Sequence, residues 1–112
     1  MGIPLVKYVK DESGKFREIG IVEVFDVRVP AKNPNFKITK NNFHCCIPEN
    51  AISVWMLERD FGISITKSKI IRNIRNGNLN AFMIGFDGVI IEKWWIDVDD
   101  KFFNFLDKYI DR

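Results

Sequence analysis

The chain has 112 residues, 46% of them hydrophobic and 13% aromatic, and a formal net charge of +2. That length suits one domain, or one domain with an appendage, and that apolar load excludes disorder over the whole length. The charge is uneven: eight Lys/Arg against five Asp/Glu in residues 1–48, five against three in 49–81, and four against seven in 82–112, so a nucleic-acid face must lie ahead of the acidic last third or on one side of it.

Residues 3–29 read as strand-rich. Leu5 to Val9 leads into a polar turn, Asp11 to Lys15, and then into Phe16 to Val29, where apolar positions from Ile21 onward partly alternate with Glu23, Asp26 and Arg28. The pattern predicts a β-hairpin across Glu12–Lys15 with a second strand bent near Gly20. A lone hairpin is marginal in water, so these strands must pack on something else. Residues 30–50 read as a connector, punctuated by Pro30, Pro34 and Pro48 and carrying five Asn, with room for a short strand around Phe36–Thr39.

From Ile52 the period becomes helical. Val54, Leu57 and Phe61 fall on one face, Ser53 or Asn50 is placed to cap the start, and Gly62 to end the helix. Thr66 then reads as the N-cap of a second helix, Lys67 to Asn76, with Ile70, Ile71 and Ile74 as its apolar face and Gly77 as its stop. Leu79 to Gly85 and Val89 to about Trp95 or Ile96 read as two strands joined through Asp87-Gly88, a tight-hairpin dipeptide. A last helix is expected from about Asp97. Val98, Phe102, Phe105, Leu106 and Tyr109 are at helical spacing, and Asp97, Asp99 and Asp100 lie where the helix dipole favours negative charge.

Two short helices joined by a Gly-containing turn, followed by a β-hairpin, describe a winged helix-turn-helix. From about Ile52 to Leu106 the chain resembles the excisionase-type, MerR-like winged helix-turn-helix domain. The resemblance is carried by Ser53-Val54, Leu57, Phe61 and Gly62-Ile63, by Ile70 and Ile74, and by the run from Arg75 to Ala81. Ile84-Gly85 and Trp95-Ile96-Asp97, leading into Phe102 and Leu106, complete it. It implies insertion of the second helix into the DNA major groove. The tip of the hairpin carries Asp87, an anion that phosphate repels, where relatives offer Lys or Arg. The expected fold is therefore α+β: a winged helix-turn-helix over residues 49–112 with an N-terminal β-hairpin and strand extension, ending in a connector, over residues 1–48.

The expected DNA-binding residues are Thr66, Lys67, Ser68, Lys69, Arg72, Asn73, Arg75 and Asn76, the polar residues of the second helix and its caps. No Ser/His/Asp set, phosphate loop or zinc motif is present, so the chain is expected to be no enzyme, to have no catalytic residue and to use no cofactor. His44-Cys45-Cys46 has no second Cys/His pair to complete four ligands, so no metal is expected. Adjacent cysteines give no disulfide framework, which points to a reducing compartment. No apolar stretch is long enough to span a bilayer, and the N-terminus lacks a signal-peptide core, so a cytoplasmic protein is expected. Trp94-Trp95 and the phenylalanines are expected to pack in the core rather than stack on single strands.

The leading expectation is a sequence-specific double-stranded DNA-binding protein, an excisionase-like factor or small transcriptional regulator of a mobile element or phage. It leaves open a homodimer or cooperative assembly on DNA and involves no membrane. The competing expectation is a protein-binding module, such as a phage inhibitor of a host protein, that uses the same scaffold without DNA.

Overall fold

In the computed structural model the described residues are 5–22, 24–27, 39–41, 43 and 46–109. Their elements are β1 (Val6–Lys10), β2 (Phe16–Ile21), β3 (Val24–Val27), β4 (Cys46–Pro48), β5 (Ala51–Ser53), α1 (Val54–Phe61), α2 (Lys67–Arg75), β6 (Ala81–Phe86), β7 (Val89–Asp97) and α3 (Asp100–Tyr109). The described residues form a mixed α+β fold with three helices and a five-stranded antiparallel sheet in the order β2-β1-β6-β7-β5. A separate antiparallel pair is formed by β3 and β4.

The chain divides into two compact units, each made of separated segments: residues 1–49 with 82–93, and residues 50–81 with 94–112. The chain first crosses between them after residue 49. The hairpin of β6 and β7 adds two more, because its far half belongs with the N-terminal strands.

In the first unit, β1 and β2 form the predicted hairpin. Gly14 adopts φ +88°, and the Asp11 carboxylate accepts bonds from Ser13 Oγ (2.6 Å) and Lys15 N (2.9 Å), which closes the turn. The expected bend near Gly20 is a slip in register: Lys7 faces Gly20 and Tyr8 faces Glu18, leaving Ile19 as an extra residue. β1 also pairs with β6, Val6 opposite Gly85 and Tyr8 opposite Met83. Antiparallel partners share a face, so the Tyr8 ring lies over Gly85, where any Cβ would collide with it. Every residue of β6 is buried, as a strand covered on both faces must be. Phe43, fully buried, stacks on Phe86 at 6.0 Å between centroids. The second strand was expected to run to Val29; instead it stops at Ile21, and β3 pairs with β4. The short strand proposed around Phe36–Thr39 falls largely outside the described residues.

In the second unit, Leu57, Ile63, Ile70, Leu79, Ile96, Phe102, Phe105 and Leu106 are buried. Of the two expected caps, Ser53 holds the N-cap position and α1 starts at Val54; Ile52 and Ser53 also pair with Ile96 and Trp95 as strand β5, and the Ser53 side chain makes no cap hydrogen bond. Asn50 has φ +56° and its carbonyl accepts from Val98 N, so it shapes the turn before β5 rather than capping the helix. Phe61, expected on the buried face of α1, is 43% exposed, yet it meets the buried Phe102 ring edge-on at 5.8 Å. Gly62 ends α1 at φ +65°, its N–H bonded to the Glu58 carbonyl. Trp94 and Trp95 are buried, as expected of core residues. The last helix starts at Asp100. Asp99 caps it, accepting from Phe102 N (3.0 Å) through one carboxylate oxygen and from Asn80 Nδ2 (2.9 Å) through the other.

Candidate nucleic-acid interface

The second helix begins where the sequence places it. Thr66 is extended (φ −65°, ψ 148°), and its Oγ1 accepts from Lys69 N at 3.3 Å, satisfying one of the donors that a helix start leaves open. Ile70 is fully buried, while Ile71 and Ile74 are half-buried, so this edge anchors α2 to its unit. At about 100° per residue, Ser68, Arg72 and Arg75 fall within about 60° of one another on the side away from Ile70, with Lys69 flanking them. Lys67, Ser68, Lys69, Arg72, Arg75 and Asn76 are all exposed.

The electrostatics of this helix are one-sided. No Asp or Glu occurs between Asp60 and Asp87, a stretch that holds Lys67, Lys69, Arg72 and Arg75. Arg72 and Arg75 lie in the last turn of α2, where the helix dipole welcomes cations. Lys67 and Lys69 lie in the first turn, which contains no acid, where the same dipole disfavours them. Ahead of the turn, Arg59 is already spoken for. Its Nε and Nη2 donate to Asp60 at 2.7 and 3.0 Å, which lowers the Asp60 carboxyl below its usual value and raises the guanidinium. Among the described residues, no carboxylate lies within ion-pair distance of Lys67, Arg72 or Arg75.

Two of the eight expected DNA-binding side chains make hydrogen bonds within the protein. The Thr66 hydroxyl is the cap. Asn73 is half-buried, and both ends of its amide are used: Nδ2 donates to the Lys69 carbonyl at 2.9 Å, and Oδ1 accepts from Asn78 Nδ2 at 3.1 Å. The backbone reinforces this closure, with Asn78 N donating to the Asn73 carbonyl and Gly77 turning at φ +79°. Asn78 gives no sign of this role in the sequence beyond belonging to the run Asn76-Gly77-Asn78.

At the tip of the β6–β7 hairpin, in the other unit, Asp87 (φ +49°) and Gly88 (φ +80°) make the left-handed turn that their sequence predicts. The anion there is not bare: Lys40 Nζ lies 3.1 Å from Asp87 Oδ2. Nothing in the local sequence links residues so far apart, so this pairing was invisible to pattern reading. Among the described residues no group of His, Cys, Asp and Glu is arranged to hold a metal; His44 and Cys45 lie outside them. Among the described residues no helix is long and apolar enough to cross a membrane. No protein-family description, curated protein or solved structure matches the chain.

Proposed function

We propose that the protein binds double-stranded DNA in a sequence-specific manner by inserting α2 into the major groove. In this reading the second unit with the β6–β7 hairpin acts as a winged helix-turn-helix, in the manner of an excisionase-like factor or small regulator of a mobile element or phage, working in the cytoplasm without catalysis. The observation that carries it is the set of exposed cations on α2: Lys67, Lys69, Arg72 and Arg75, with no acid in the first turn and none between Asp60 and Asp87. Cations kept at the positive end of a helix dipole lower the stability of the free protein, and a bound phosphate reverses that cost. An α-helix fits the major groove, and the buried Ile70 holds the other side of α2 against the core.

The test is a fluorescence-anisotropy titration of the full chain with duplex DNA over a range of salt. Affinity should fall steeply with salt, and Lys67→Ala should reduce the slope by about one unit. Absence of duplex binding at low salt would sink the proposal.

A protein-binding role is the second reading, and one observation favours it. The edge strand β2 exposes Phe16, Ile19 and Ile21 in a single short element. Trp94 and Trp95 are buried and offer no surface for that role.

A further inference from the structure

We infer, on the footing of the DNA-binding reading, that α2 selects duplexes with guanines on neighbouring base pairs, read by Arg72 and Arg75, and that Asn73 positions the helix end without reading a base. The side chains that α2 leaves available on its outward stripe are Ser68, Arg72 and Arg75, at i, i+4 and i+7. Each guanidinium is a planar fork whose geometry matches the O6 and N7 acceptors of guanine. Arg72 and Arg75 are three residues apart, a rise of about 4.5 Å along the helix. That is close to the base-pair step of about 3.4 Å, and the length of the two side chains absorbs the difference.

Adenine is read by the opposite device, an Asn or Gln amide that donates and accepts side by side. Asn73 is the amide in the middle of α2, and it is committed at both ends, to the Lys69 carbonyl and to Asn78. Reaching a base would break both bonds and release the end of α2 that they hold. Its bonds instead fix the turn of Asn76, Gly77 and Asn78 that carries the chain out of α2. Lys67, exposed in the first turn, is placed for a phosphate, a contact that positions the helix and carries no base preference.

The experiment uses the full chain and short duplexes that differ only at a central dinucleotide, GG, GA, AG or AA on one strand, in otherwise identical A·T sequence. GG should bind tightest, and each guanine replaced should lower affinity about tenfold. Arg72→Lys and Arg75→Lys keep the charge and lose the fork. Each should erase the preference at one of the two positions while leaving the salt slope in place. Asn73→Ala should weaken all the duplexes by a common factor with the guanine preference intact. If Asn73→Ala proves poorly folded, Asn78→Ala, which frees one end of the Asn73 amide, should likewise leave the preference intact. Equal, salt-dependent binding to every duplex would overturn the inference and leave the DNA-binding reading standing. So would a preference lost with Asn73→Ala and kept with both arginine changes. Absence of binding to any of them would overturn both.

Discussion

Lys69→Glu should make the free protein more stable and bind DNA less well. Lys69 is the third residue of α2, and its N–H is the donor that Thr66 Oγ1 accepts. A Thr cap with Glu at this position completes the reciprocal capping box, in which the Glu carboxylate returns a bond to the N–H of the cap residue. The wild-type chain has the first half of that box and a cation in place of the second. At an exposed helix start a cation costs, and an anion contributes, about 0.3–1 kcal/mol. Reversing the charge therefore gains about 1 kcal/mol from the dipole alone, and the new cap bond adds in the same direction. For a chain of this size that is a rise in Tm of about 4 °C at low ionic strength, shrinking as salt screens it. DNA affinity should move the other way, because one phosphate contact is removed and an anion is placed beside the backbone. Lys108→Glu, in the last turn of α3, is the control: it removes a cation from the favourable end of a helix and should lower Tm without touching DNA affinity. Thermal melts and anisotropy titrations at matched salt measure both quantities. A Lys69→Glu protein that melts lower than wild type, or binds duplex as tightly, refutes the reasoning.

Gly85→Ala should destabilise the protein by about 1–3 kcal/mol in urea denaturation, because the new Cβ meets the Tyr8 ring, with Tyr8 Cδ2 at 2.9 Å and Ile90 Cγ1 at 3.1 Å. In a Tyr8→Ala background the same change should cost little, and an equal loss in both backgrounds would show that the ring is not the obstacle. Ser53→Ala should be neutral or stabilising by about 1 kcal/mol, against the loss usual for an N-cap. Ser53 Oγ is fully buried and makes no hydrogen bond among the described residues; a clear loss of stability would point to a bond that this geometry lacks. The Asp11 carboxyl lies below its usual value, first because Ser13 donates to it and then because Lys15 N does. A lowered carboxyl contributes stability that is present above the ordinary Asp range and lost as pH falls through its folded value, so amide exchange in the β1–β2 hairpin should quicken only below about pH 4. Asp11→Asn should flatten that dependence, and an unchanged profile would sever the link.

Where the chain is governed by local rules, the sequence was a good guide. Gly14, Gly62, Gly77 and Asp87-Gly88 turn the chain where positive φ is needed, and Thr66 caps α2, because each effect is decided within a few residues. The errors fall where distant strands decide. Ile52 opens the run that reads as helical until Ile96, more than forty residues later, takes it into strand β5. The β6–β7 hairpin looks like a free wing until β1 pairs along β6, although a strand written Ala-Phe-Met-Ile-Gly-Phe, with no polar residue, already describes a strand buried on both faces.

The candidate site divides along the same line. Charge and helical period made Arg72 and Arg75 legible, since both fall on the side of α2 away from Ile70, and Lys67 and Lys69 are exposed in its first turn. What residue type could not tell is which polar side chains are still available to a ligand. Thr66 and Asn73 belong to the same polar face by composition, but their hydrogen bonds go to the protein's own backbone and to Asn78. Short polar side chains next to helix ends compete for exactly such local bonds, whereas Lys and Arg reach past them into solvent. On the DNA-binding reading the contacts therefore fall to the long cationic residues, because the hydrogen bonds that start and end this nine-residue helix already occupy the Thr66 and Asn73 side chains.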